Sequence, residues 1–437
     1  MTQLSMPIRR ARGYLELARS DSMVRNSLYL MASTVVTGAL GYVFWIVTAH
    51  VFTSAQVGIA SGVISVCSTV ALLTYLGPGA TLVERLHAYE RSARWTAVLV
   101  RMSGWTAAAT AVATLVAVPL LARSRDYGSF FHTMSPVVIA VVGAAAWTVV
   151  NMLGYAFIAA RRADRLLSIQ TAISVAKVIM VIPVAAFGAG AAGLVGAWVA
   201  SAVLGVAYGA LWLVPRLGLG GKRGDASEPL RRDRPPGAAL ARLAGQHVTS
   251  VGEAVTPLVL PILVVLRLGV TANGYFYITW MIGSVFFMIS PSLASALFAE
   301  GVRADANLRR AVGKAFRVIA LLLVPATVVM IATGRVLLHM FGASYASAGY
   351  GLLVVLALSA IPDAGSNIAV AVCRVTGRLA YSSALNVGIL LVTVAGAWVL
   401  MPVLGIIGAG AAWLGAQTLS VLFSIPIYAR LGQGAIA

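Results

Sequence analysis

The feature that most constrains this chain is an apolar run long enough to cross a bilayer, repeated twelve times. A hydrocarbon core about 30 Å thick needs about 20 helical residues. Runs of that order recur at roughly 26–49, 57–76, 95–122, 133–160, 166–187, 190–214, 243–266, 274–299, 315–334, 346–373, 380–401 and 405–429. A backbone surrounded by lipid must satisfy its own hydrogen bonds, so each run predicts a helix. Composition points the same way, because 60% of the 437 residues are hydrophobic and only 10% are Asp, Glu, Lys or Arg. That is too little charge to cover a soluble surface. The same figures exclude a disordered chain and a disulfide-stapled module, and the two cysteines, Cys67 and Cys373, lie inside separate apolar runs as small packing residues. The expected fold class is therefore all-α, a polytopic membrane protein of about twelve transmembrane helices.

The formal net charge of +19 could indicate nucleic acid, but the placement of the charge excludes it. Of the 32 Lys and Arg residues, 26 fall in, or within three residues of, one alternating set of connections that includes both termini, and 4 fall in the other set. By the positive-inside rule both termini are expected in the cytoplasm, in a plasma (inner) membrane whose anionic lipids attract the basic segments. The longest interruption, residues 215–242, is rich in Gly, Pro and Arg and reads as a cytoplasmic linker. The expected organisation is a basic segment 1–25, a six-helix lobe 26–214, the linker 215–242, a second six-helix lobe 243–429 and a tail 430–437. A weak internal repeat supports two lobes. Arg165-Leu166, Pro183 and Gly193 through Gly196 are matched by Arg378-Leu379, Pro402 and Gly405 through Gly408, at offsets of 212 to 213 positions for the arginine and the first glycine. With six helices per lobe, the lobes share one orientation and enclose a cavity between them.

Two of the 32 basic residues, Arg101 and Lys177, fall well inside spans, as do the acids Glu253 and Asp363. An ionisable group at mid-membrane costs about 2.5–3.5 kcal/mol on insertion scales, so it faces a cavity or a partner. Counting at 1.5 Å per residue, Lys177, Glu253 and Asp363 all lie about 15–18 Å deep. Each sits on a polar stripe at helical spacing: Gln170, Ser174 and Lys177; Thr249, Glu253 and Thr256; Ser359, Asp363, Ser366 and Asn367. Glu253 and Asp363, with Thr249 and Asn367, are candidates for a cation-coupling site, and a buried structural acid is the competing reading. Lys177, with Gln170 and Ser174, is the candidate for an anionic head group, against an ion pair with one of the acids. Arg101 is either a further anion contact or a side chain that snorkels to the inner interface.

Further motifs carry a family resemblance. They are Arg25-Asn26-Ser27 before the first span, Thr53 through Gly58 between the first two, Asn386 early in the eleventh, and Pro402 through Ala409 into the last. In these the chain resembles the polysaccharide-export and lipid-linked oligosaccharide flippase branch of the multidrug/oligosaccharidyl-lipid/polysaccharide exporter superfamily. The resemblance implies two lobes of the MATE/MOP kind, alternating access, and transport of a polyprenyl-diphosphate-linked oligosaccharide, a cell-envelope precursor. It also implies glycosyltransferases or a polymerase of the same pathway as partners. A cation-coupled exporter of drugs or metabolites is the alternative. No phosphate-cradling loop, zinc-spaced His/Cys cluster or hydrolase serine motif is present, so no enzyme activity, metal or organic cofactor is expected beyond a coupling H+ or Na+.

Overall fold

The computed structural model describes residues 22–88, 94–217, 251, 254–288, 290–291 and 308–432. Every regular element among them is helical. In the first half these are α1 (Ser22–Val51), α2 (Ser54–Ala88), α3 (Arg94–Leu121), the short α4 (Arg125–Phe130), α5 (Met134–Ala159), α6 (Ala163–Ala186) and α7 (Gly190–Tyr208). The second half holds α8 (Ala254–Leu268), α9 (Val270–Gly283), α10 (Leu308–His339), α11 (Ala343–Val375), α12 (Leu379–Leu404) and α13 (Ile406–Gly432). Ten helices among the described residues are long and apolar enough to cross a membrane, and α8 is a shorter apolar helix. The molecule is a multi-pass integral membrane protein.

The exposed faces are as apolar as the interior, with Trp105, Val112, Val116, Leu321 and Val403 all more than half exposed. Apolar residues on both faces are what a lipid-solvated helix requires. Inside, the helices use small residues and hydroxyls to approach one another. Thr110 of α3 meets Thr74 of α2 at 2.6 Å and Thr148 of α5 at 2.9 Å, so one chain of hydroxyls ties three helices. Cys67 and Cys373 are both free and fully buried.

The halves repeat one packing plan. In the first, α5 packs on α2, α3 and α7, and α7 also packs on α6. In the second, α11 packs on α9, α10 and α13, and α13 also packs on α12. The halves join where α2 crosses α9 near the end that carries the α1–α2 connection. Gly58 and Gly274 make this crossing possible, since a Cβ at Gly58 would collide with the Val270 carbonyl and one at Gly274 with that of Ser54. Asn273 seals the contact by donating to the Gly58 carbonyl at 2.7 Å and the Ser61 hydroxyl at 3.1 Å. Deeper in, Tyr42 of α1 donates to the Met281 carbonyl of α9 at 3.1 Å.

One expected span is not a single helix. The run 274–299 predicts a continuous helix, but α9 stops at Gly283 and is followed by a turn and a 3-10 segment, Phe286–Met288. Gly283 and Ser284 supply the reason: glycine weakens a helix interior, and the Ser284 hydroxyl bonds back to the Met281 carbonyl at 2.7 Å. Irregular backbone at membrane depth is tolerated where it lines a cavity, and Ser284 and Phe287 do line one.

Candidate functional site

A cavity of about 450 Å³ lies within the second half, bordered by Leu76 of α2 on the side of the first half. Asp363 of α11 lies in its wall, 4% exposed. The carboxylate is held by amides from two helices: Gln417 of α13 donates to Oδ1 at 3.1 Å, and Asn367, one turn along α11, donates to Oδ2 at 3.2 Å. Ser366 in turn donates to the Gln417 Oε1, which orients that amide with its NH2 toward Asp363. Tyr428 donates to the Gly365 carbonyl at 2.7 Å, fixing α13 against α11 beside the network. Such a network stays buried because each polar group answers another.

The predicted stripe of α11 is realised, with Ser359, Asp363 and Ser366 buried and Asn367 half-buried on the interior side. Thr256 lines the same cavity, as do Ala254 and Pro257 of α8. Glu253 and Thr249 lie outside the described residues. Sequence reasoning missed Gln417 as a partner of Asp363. Its signal was present, since it is the single carboxamide in the apolar sequence of α13. It also missed the aromatic wall, where Trp280 meets Trp413 edge-on at 5.6 Å and Phe287 tilts against Trp413 at 5.5 Å. These three rings border the cavity that holds the carboxylate.

Lys177 occupies a different environment. It lies in the interior half of α6, which packs along α1, and its ammonium stands 4.9 Å from the ring centroid of the buried Phe44. No carboxylate among the described residues lies within 4.0 Å of it. An aromatic face stabilises a desolvated ammonium but leaves its charge uncompensated. Ser174, one turn before it, is buried, and Gln170 is half-buried on the same side of α6. Arg101 is not brought to this group. It is exposed on α3, in line with Trp105 and Val112, which are 73% and 62% exposed. α3 packs mainly on α2 and α5, whereas α6 packs on α1 and α7.

No family model matches the chain, and no curated protein matches its sequence. Solved structures do match it over nearly its whole length. An inward-facing multidrug-resistance MATE family transporter of the MOP superfamily aligns with a TM-score of 0.65 at 16% identity, over 93% of this chain and 99% of its own. The fold is that of a MATE-type transporter. An outward-facing MATE structure aligns at 0.55 with 15% identity, over 96% and 98%. A MOP superfamily transporter from Pyrococcus furiosus, described as having a binding pocket of reversed polarity, aligns at 0.58 with 15% identity, over 95% and 98%. In this chain the α2–α9 crossing brings the halves together at the end bearing the α1–α2 connection.

Proposed function

We propose that this transporter flips a polyprenyl-diphosphate-linked oligosaccharide across the plasma membrane by alternating access, with a cation at Asp363 coupling the cycle. The observation that carries the reading is the Lys177 ammonium beside Phe44, with no carboxylate among the described residues within 4.0 Å. The acids of the first half among the described residues, Glu84, Asp126 and Asp164, all lie toward helix ends. The interior of that lobe is therefore cationic, as a diphosphate head group requires. An ammonium in a low-dielectric site attracts a diphosphate far more strongly than it would in water. Gln170 and Ser174 add hydrogen-bonding groups on the same helix.

Asp363 supports the coupling step. A carboxylate at the wall of a membrane cavity offers a hard oxygen ligand to Na+ and a protonation site to H+. Binding there would favour whichever lobe arrangement holds the site intact. With both termini in the cytoplasm, a state open to that side would receive substrate where lipid-linked precursors are assembled. Glycosyltransferases or a polymerase of the pathway would be its functional partners.

The second reading is a cation-coupled exporter of small organic cations. It is favoured by Trp280, Phe287 and Trp413 around the Asp363 cavity, because aromatic faces and a carboxylate together suit an organic cation. Vesicles containing the purified protein separate the two. Lys177→Ala should reduce translocation of a polyprenyl-diphosphate saccharide about tenfold, the loss of about 1.4 kcal/mol of binding, with protein level unchanged. Organic-cation efflux that Lys177→Ala leaves intact, together with no flipping by the wild-type protein, would decide for the second reading.

A further inference from the structure

The Asp363 cavity is far larger than a coupling ion. A proton or a sodium ion occupies little of its 450 Å³, a volume within the range of about 300–1,000 Å³ that small-molecule sites span. Leu76 of α2 borders it on the side of the first half, so a molecule held between the halves can reach into it.

Three features of the wall limit what fills the rest. Trp280, Phe287 and Trp413 form one aromatic surface, with ring centroids 5.9, 5.6 and 5.5 Å apart. Asp363 supplies the charge, and no Lys, Arg or His among the described residues lines the cavity. The third feature is the indole N–H of Trp413. That residue is 7% exposed, and its Nε1 has no hydrogen-bond partner among the described residues. A buried donor left unanswered is costly, and a ligand that accepts from it recovers the cost.

Each class of ligand meets these features differently. A diphosphate accepts from the indole N–H but is repelled by Asp363, with no base beside it to compensate. An organic cation answers the carboxylate and the rings, yet its charged group offers the indole no acceptor. A saccharide hydroxyl both donates and accepts, as a serine hydroxyl does, so a sugar answers Asp363 and Trp413 together. The C–H face of its ring suits the aromatic surface. A sugar that carries a carboxylate meets the same repulsion as the diphosphate.

We infer that this cavity is the saccharide subsite of the transporter, and that the sugar unit it takes carries no acidic group. The inference rests on the flippase reading and deepens it: the diphosphate stays with Lys177 in the first half, and the sugar portion of the same molecule enters the second. The ion is held from α11 and the sugar mainly from α9 and α13, which carry Trp280 and Trp413, so one chamber serves both.

The probes are polyprenyl diphosphates of one chain length that carry no sugar, one neutral hexose (glucose or galactose), or glucuronic acid. Binding is measured to the full chain in nanodiscs, without a cation gradient. The neutral-hexose lipid should bind about tenfold more tightly than the bare lipid, or by about 1.4 kcal/mol. The glucuronic acid lipid should bind no more tightly than the bare one. Trp413→Phe keeps a ring in the wall and removes the N–H, so it should bring the neutral-hexose lipid to within about threefold of the bare lipid. Lys177→Ala should weaken all three. A diazirine on the hexose should label α9 or α13. If Trp413→Phe does not accumulate in the membrane, the wild-type ranking and the labelled helices carry the test.

Equal affinity for the bare and neutral-hexose lipids, with Lys177 still required, would overturn the subsite while the flippase reading stands. So would a hexose preference that survives Trp413→Phe with labelling confined to the first half. A glucuronic acid lipid bound as tightly as the neutral one would overturn the exclusion of acidic sugars. No binding of any of the three lipids, with tetraphenylphosphonium bound instead, would overturn the flippase reading and the subsite together in favour of organic-cation export.

Discussion

The two halves share a packing plan but not a chemistry. In the first, the charge near mid-membrane is the Lys177 ammonium beside Phe44, with no carboxylate among the described residues in reach. In the second it is the Asp363 carboxylate, gripped by Gln417 and Asn367 in a cavity walled by tryptophan and phenylalanine. The two halves thus carry opposite charges, on α6 in the first and on α11 in the second. On the proposed function, the contrast separates two tasks: an attractive site for an anion and a titratable or ion-binding site for a cation. The amides around Asp363 stabilise a carboxylate in one geometry, whereas the cation–π contact of Lys177 leaves its N–H donors available to a ligand.

The contrast has meaning only if the halves move as bodies about their shared crossing, and the largest effect is expected there. Gly274→Leu drives a side chain into the Ser54 backbone, and overpacking of this kind costs about 1–3 kcal/mol. The lobes should then separate at that end, with a lower thermal midpoint in detergent and loss of transport. A cysteine introduced at Ser61 should become accessible to an impermeant thiol reagent in the variant and stay protected in the parent. Protection in both would show that the crossing is not what closes this end.

Asp363→Asn comes next. The amide keeps the shape but loses the charge, so gradient-driven transport should fall by about 100-fold, equivalent to about 2.7 kcal/mol, while downhill exchange continues. The pH dependence of uptake should flatten in the same variant if the coupling ion is H+, and the sodium dependence should vanish if it is Na+. Unchanged gradient dependence would make Asp363 a structural acid and erase the contrast.

Lys177→Ala should then cost about tenfold in flipping, or about 1.4 kcal/mol, and Lys177→Arg should retain part of it. The decisive control is the double variant Lys177→Ala with Asp363→Asn. If the two residues do separate jobs, the double variant is at least as impaired as the worse single one. Rescue of transport would mean that the charges pair during the cycle. The smallest effect is expected for Arg101→Ala, within about twofold of the parent, or about 0.4 kcal/mol, because its side chain stands on the exposed line of α3 with Trp105. A loss comparable to Lys177→Ala would place Arg101 at the substrate after all.

The helix plan was legible because hydrophobic run length depends on local composition alone. So was the stripe around Asp363, since residues at i, i+3 and i+4 share a helix face whatever the neighbour. The partner of Asp363 was not legible. Gln417 is 54 positions away, and only the packing of α13 on α11 brings its amide to the carboxylate. The break after Gly283 was likewise hidden, because an apolar run continues through it and the weak helix formers Gly283 and Ser284 are common in membrane helices.

The sequence by itself determined that this chain lives in a membrane as a helical bundle with ionisable groups at depth. These properties follow from the cost of exposing backbone or charge to hydrocarbon, a cost paid residue by residue. Tertiary structure alone decided that Gly58 and Gly274 form the crossing of α2 and α9, that Lys177 meets Phe44, and that Gln417 meets Asp363. Each of these is a relation between helices, and in a bilayer such relations are set by shape and close contact. Lipid offers no polarity difference that would mark, along the chain, which apolar face turns inward.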